Sequence, residues 1–179
     1  HSKSRDIKSK CYLSLAEIAQ ESKDLDMALS HLKNAANLTT SRSEKGVIYG
    51  RLSEMAFNRQ DYELAKDGYN NVISHSLSKE KIENAHLQIL KILRMQKNYK
   101  EAQKKIKSML VDDKFLRIAG DLELELVQLY RAQGETSEIE TRLESIVNDY
   151  QRTSVSAEAY YQLGQIYTSE KWDMEKAKE

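Results

Sequence analysis

The 179-residue chain has no proline. Proline breaks helix interiors, so nothing of that kind interrupts a helix here. Glycine is scarce too, at six residues, and no glycine-rich phosphate loop is present. Both scarcities favour an almost wholly helical chain with tight connections. Cys11 is the only cysteine. That excludes an internal disulfide and leaves the fold to rest on packing. Set in an apolar helical stretch with Tyr12 and Leu15, Cys11 reads as a buried structural thiol. Charge of one sign is lacking as well, because Lys plus Arg equals Asp plus Glu at 28 each. Such a balance lacks the basic footprint of a nucleic-acid binder. No apolar run reaches the ~18 residues a membrane span needs.

Chemistry-bearing patterns are equally sparse. There is no HExxH or CxxC spacing, and His31, His75 and His86 stand on separate segments. Neither a metal site nor a cofactor is expected. The carboxylates are numerous, but no apolar pocket isolates a pair for acid–base work. The sequence therefore reads as non-enzymatic. With 40% hydrophobic and 31% charged residues, it fits a folded protein, not a disordered one.

A period of 37 residues is present instead. Leu15, Leu52, Ile89, Leu126 and Leu163 stand 37 apart, as do Ala16, Ser53, Leu90, Val127 and Gly164, and likewise Ala28, Ala65, Ala102 and Ile139. A period of 20–50 residues marks an array whose single units cannot bury their own apolar faces. We read one repeat array over residues 1–179, with approximate units 4–40, 41–77, 78–114, 115–151 and a cut-short 152–179. Each unit contains two amphipathic helices with apolar residues three and four apart. In the first, Tyr12, Leu15, Ala16 and Ala19 are followed by a break at Lys23-Asp24 and then by Leu25, Ala28, Leu32, Ala35 and Ala36. The fifth is expected to break at Trp172-Asp173 and resume at Ala177.

The columns carry a packing logic. Small residues (Ala16, Ser53 and Gly164; Ala28, Ala65 and Ala102) allow two helices to approach within the usual ~8–10 Å. Leu32, Tyr69, Ile106 and Leu143 fill the space between units. Asp24, Asp61 and Asn98 suit an N-cap. Ser41 and Glu44 have capping-box spacing, and Gly134 is placed for a left-handed helix stop. Ile139 breaks the small column and predicts a splayed pair in the fourth unit. His86 replaces a Tyr of its column and reads as a packing residue.

These columns resemble the tetratricopeptide repeat family over nearly the whole chain. The resemblance rests on Leu15-Ala16, Leu52-Ser53 and Leu163-Gly164, and on the second-helix openings Asp24 to Ala28, Asp61 to Ala65 and Asn98 to Ala102. The period is three longer than the family's usual ~34, and the proline common at the unit's end is missing. The stretch from Asp149 to Tyr167 resembles a long-period bacterial variant found in envelope assembly and Tol-Pal-type proteins. That likeness suggests a bacterial source and a periplasmic or cell-envelope location, with the cytoplasm as the alternative. The chain opens at His1 and stops inside a repeat, so it reads as a fragment and its targeting stays open.

The resemblance implies an all-α, right-handed superhelix of about five helix-turn-helix units, with first helices lining a concave groove. Side chains there that avoid the packing columns would meet a partner. They are Leu13, Glu17, Glu54, Phe57, Leu87, Lys91, Arg94, Leu124, Gln128, Arg131, Tyr161 and Gln165, with Gln20 and Gly50 beside them. Leu13, Gly50, Leu87, Leu124 and Tyr161 form an apolar column suited to an amphipathic helix or an extended peptide. Two readings stay open: an open groove, or a column consumed by packing between neighbouring first helices. Leu13 and Glu17 stand where chaperone-clamping members of the family have Lys and Asn, which disfavours that activity. The expected function is protein-interaction scaffolding. A self-associating module, or the docking arm of a larger protein, is the alternative. Basic residues concentrate over 94–107 and acidic ones over 121–149, to pair with each other as solvated faces, or to meet a polar partner or support head-to-tail self-association.

Overall fold

The computed structural model describes residues 2–176, with side chains described through residue 168. Among these residues the chain is all-α, without a strand. Its helices are α1 (Ser2–Glu21), α2 (Leu25–Leu38), α3 (Arg42–Asn58), α4 (Tyr62–His75), α5 (Lys79–Met95), α6 (Tyr99–Leu110), α7 (Ala119–Gln133), α8 (Ile139–Asp149) and α9 (Ser154–Lys176). Short 3-10 segments, Asp113–Ile118 and Thr136–Glu138, precede α7 and α8. The chain forms two compact units, His1–Ile92 and Leu93–Glu179, and the division falls inside α5. In the first unit α1 packs on α2, α2 on α3 and α3 on α4. In the second, α6 packs on α7, α7 on α8 and α8 on α9.

One backbone device recurs every 37 residues and sets the period. Lys23, Gln60, Lys97 and Gly134 all adopt left-handed φ, between 60° and 77°. Each ends a first helix in the same way. For α3, the Gln60 N–H donates to the Phe57 carbonyl and the Asp61 N–H to the Ala56 carbonyl, both at 2.9 Å. Equivalent pairs close α1 (Lys23 to Gln20, Asp24 to Ala19), α5 (Lys97 to Arg94, Asn98 to Leu93) and α7 (Gly134 to Arg131, Glu135 to Tyr130). This is the Schellman stop, which satisfies carbonyls the helix end would orphan. The residue after it then opens the next helix. Asp24 Oδ1 accepts from the Met27 N–H at 3.0 Å, and Asp61 Oδ1 from the Leu64 N–H at 3.2 Å. One Asp thus stops one helix and caps the next, which makes the turn short.

The columns vary in how they meet this frame. Ala28, Ala65, Ala102 and Ile139 are all buried, as are Leu32, Tyr69, Ile106 and Leu143. Asn98 stands at the expected N-cap of α6 but makes no side-chain cap. The fourth unit deviates further at its turn. Glu135 makes no cap either, and there the chain also passes through the 3-10 segment before α8 begins. Ile139 itself stays buried at the head of α8. Glu44 makes only half of a capping box. Its N–H is capped by Ser41 Oγ, while its carboxylate accepts from the Thr39 hydroxyl, whose oxygen in turn accepts from the Ser41 N–H.

Four expectations need correction. Cys11 is exposed, not buried, and Leu15 is 43% exposed although the other members of its column are buried. Both lie on the side of α1 that no element of its unit covers. Gly164 marks no close helix approach, because a Cβ there would meet nothing within 4 Å. The break expected at Trp172-Asp173 is absent, because α9 continues to Lys176. Among the described residues, no helix after α9 folds back against Gly164. The Trp172 and Asp173 side chains and Ala177 lie outside the described residues.

Candidate functional site

The candidate residues lie on first helices, between the faces packed on their partners and open solvent. In the first unit, Leu13, Gly50 and Leu87 are all half-buried. α3 is drawn tightly onto α4 by glycine. A Cβ at Gly68 would lie 2.3 Å from Ser53 Oγ, and one at Gly46 would lie 2.9 Å from the Ser76 backbone. Gly50 is different, because its nearest neighbour would be Val72 Cγ2 at 4.0 Å. The missing side chain there opens a cleft of about 260 Å³. Its lining joins the covered Gly46, Gly50, Tyr69, Val72 and Ala85 to the exposed Val47 and to Arg51, Glu54, Lys81 and Asn84. For scale, a cavity of about 150 Å³ accepts a benzene ring.

Polar contacts frame this cleft. Arg51 donates to Glu17 Oε1 at 3.2 Å and to Gln20 Oε1 at 3.1 Å, linking α1 to α3. Phe57 meets Tyr62 edge-on, ring centres 6.0 Å apart, and Lys91 Nζ sits 5.1 Å above its ring. The cation is attracted by the negative face of the ring. Glu54 lines the cleft and is exposed. Its charge and, above all, burial push the Tyr69 phenol up to about 12.

In the second unit the predicted residues are engaged with one another to different degrees. Arg94 Nε donates to Glu125 Oε1 at 2.7 Å, with both side chains largely covered. Gln128 Nε2 donates to Gln162 Oε1 at 3.2 Å, linking α7 to α9. Leu124 is half-buried, whereas Tyr161 is 63% exposed and accepts from Gln165 Nε2. Arg131 lines a separate cleft of about 540 Å³ with Thr136, Ser137, Ile139, Glu140 and Ile166. Glu123, in the column of Tyr12, pairs with Arg142 at 3.1 Å, and the Arg142 guanidinium lies over the Tyr130 ring.

The structure thus brings Glu17 to Arg51, Phe57 to Lys91, Arg94 to Glu125 and Gln128 to Gln162. It leaves Glu54, Arg131 and Tyr161 open. Sequence reasoning missed the roles of Arg51, Glu125 and Gln162. With Gln88 they form one column at 37-residue spacing, and its run of long polar side chains was an available signal. It also missed Gly46 and Gly120, which share a column with the buried Ser9, whose hydroxyl donates to the Ala35 carbonyl.

Among the described residues no group of three or more His, Cys, Asp or Glu is placed to hold a metal ion, and no helix is long and apolar enough to cross a membrane. Comparison with models of known protein families and with curated proteins gives no match.

Proposed function

We propose that the chain is a non-catalytic protein-interaction scaffold of tetratricopeptide type. In this reading its helix pairs form a right-handed α-solenoid, and its first helices hold a peptide or amphipathic helix. The observation that carries it is the cleft over Gly50. Its lining combines apolar residues with Arg51, Glu54 and Lys81, which suits one apolar side chain of a bound segment flanked by polar groups. Leu87, half-buried 37 residues further on, extends the apolar line. The polar bridge from Glu17 to Arg51 limits how far that line stays open towards α1, so the favoured anchor is the Gly50 cleft and not the whole column.

Peptide-display selection against the folded chain tests this reading. Selected peptides should lose at least tenfold in affinity when Gly50→Leu fills the cleft, and similarly with Leu87→Asp. Lys104→Ala, on exposed α6 surface, should leave binding unchanged. Peptides that bind all three folded variants equally would sink the cleft reading.

A further inference from the structure

The face of α1 that carries Ile7, Cys11, Leu15 and Ile18 has no partner within its unit. These residues fall on one side of the helix, at i, i+4, i+8 and i+11. Ile7 is 55%, Leu15 43% and Ile18 61% exposed, and Cys11 is exposed too. The equivalents of Cys11, Leu15 and Ile18 in later repeats tell what such a face is built to do, while Ile7 has Glu44 in its place 37 residues on. Ile48, Leu52 and Met55 are buried on α3, which packs on α2 as well as α4. Leu122, Leu126 and Leu129 are buried on α7, which packs on α6 as well as α8. In each case the helix before it in the chain supplies that second packing partner. The α1 face therefore has the chemistry of an interior surface without the covering helix.

We propose that a second copy of the chain supplies that cover, α1 against α1, antiparallel about a two-fold axis near Leu13. Two independent features fit this occupant. The apolar residues are self-complementary, because such an axis sets Ile7 opposite Ile18 and Cys11 opposite Leu15 of the other copy. The charges are self-complementary as well. Lys3 and Lys10 flank the apolar face in its N-terminal half, and Glu17 and Glu21 flank the same edge in its C-terminal half, all four exposed. In an antiparallel pair like edges meet. Lys10 then faces Glu17, and Lys3 faces Glu21, each pair occurring twice by symmetry. A parallel two-fold pair would instead bring unlike edges together and lose both Lys–Glu pairings. The Arg51 contact already made by Glu17 is a surface ion pair and leaves its carboxylate exposed. Antiparallel helix dipoles favour the same arrangement. An isologous contact of this kind closes at the dimer and does not propagate into fibres.

Sedimentation of the intact chain over a wide concentration range decides the matter. The expected result is a reversible monomer–dimer equilibrium. Ile18→Glu should keep the helical circular dichroism and melting temperature yet weaken association at least tenfold. Lys3→Glu with Lys10→Glu makes the edge wholly acidic, and Glu17→Lys with Glu21→Lys makes it wholly basic. Each double variant should stay monomeric alone, and an equimolar mixture should form the heterodimer. A chain that stays monomeric at its highest soluble concentration overturns the proposal. So does a dimer indifferent to Ile18→Glu, a mixture no more associated than its parts, or a face occupied only when a helix from elsewhere is added.

Discussion

Tyr69 shows how one side chain links packing to proton binding. It fills a column position that is aliphatic in the other units, and it is only 5% exposed. Burial, with a smaller contribution from Glu54, raises its phenol to about 12. A raised acid binds its proton more tightly when folded than when unfolded. Its stabilising effect is therefore whole below the ordinary value near 10 and lost as pH rises towards 12. Wild type should lose stability relative to Tyr69→Phe across that window, by at most ~2–3 kcal/mol. Urea melts of both chains at pH 9, 10 and 11 would show parallel curves if the reading is wrong. That Tyr69 belongs to the core could be read from its column. The perturbed phenol could not, because Glu54 sits fifteen residues away in sequence and only the α3–α4 packing brings it near.

At the scale of the element, the left-handed stop is the unit that repeats. Only Gly134 has a residue suited to it; Lys23, Gln60 and Lys97 adopt the same φ with a Cβ in place. A non-glycine residue there carries ~1–2 kcal/mol of steric strain, partly offset because glycine loses more backbone entropy on folding. Replacing each of the three by Gly should therefore stabilise the chain by ~0.5–1 kcal/mol. Gly134→Ala should destabilise it by a similar amount, and thermal melts of the four variants are the check. If the three glycine variants melt lower than wild type, entropy outweighs the strain. The stop at Gly134 was legible in the sequence because glycine advertises left-handed backbone. The stops at Lys23, Gln60 and Lys97 were not, because Lys and Gln carry no such signal, and only the 37-residue register points to them. The half-made capping box at Ser41 shows the opposite failure. The spacing was right, but Thr39 reached Glu44 first.

For the whole molecule, what matters is which faces are covered. Leu15 has the same place in its unit as Leu52 and Leu126, but only the latter two are buried. Leu15→Ala should cost under ~1 kcal/mol in the monomer, near the range of surface substitutions. Leu52→Ala and Leu126→Ala should each cost ~2–5 kcal/mol. Chemical denaturation of dilute chain checks this. Equal losses at all three would mean that α1 is covered in solution by something the fold of the monomer does not provide. The candidate groove follows the same rule. Leu13, Gly50, Leu87 and Leu124 could be placed on one line from periodicity. Which of them stays open depends on neighbours such as Arg51 and Val72, which periodicity does not rank.

The sequence by itself determined the helical class, the 37-residue register and the identity of most core positions. These follow from helical periodicity and from which side chains water rejects, both local to a unit of two helices. Only the tertiary structure decided that Cys11 and Leu15 are exposed, that no described residue closes on Gly164, that α9 does not turn at Trp172, and that Gly50 opens a cleft. Each of these depends on whether another element is present on a given side. A residue's own chemistry shows what kind of neighbour it suits, while packing settles whether that neighbour arrives.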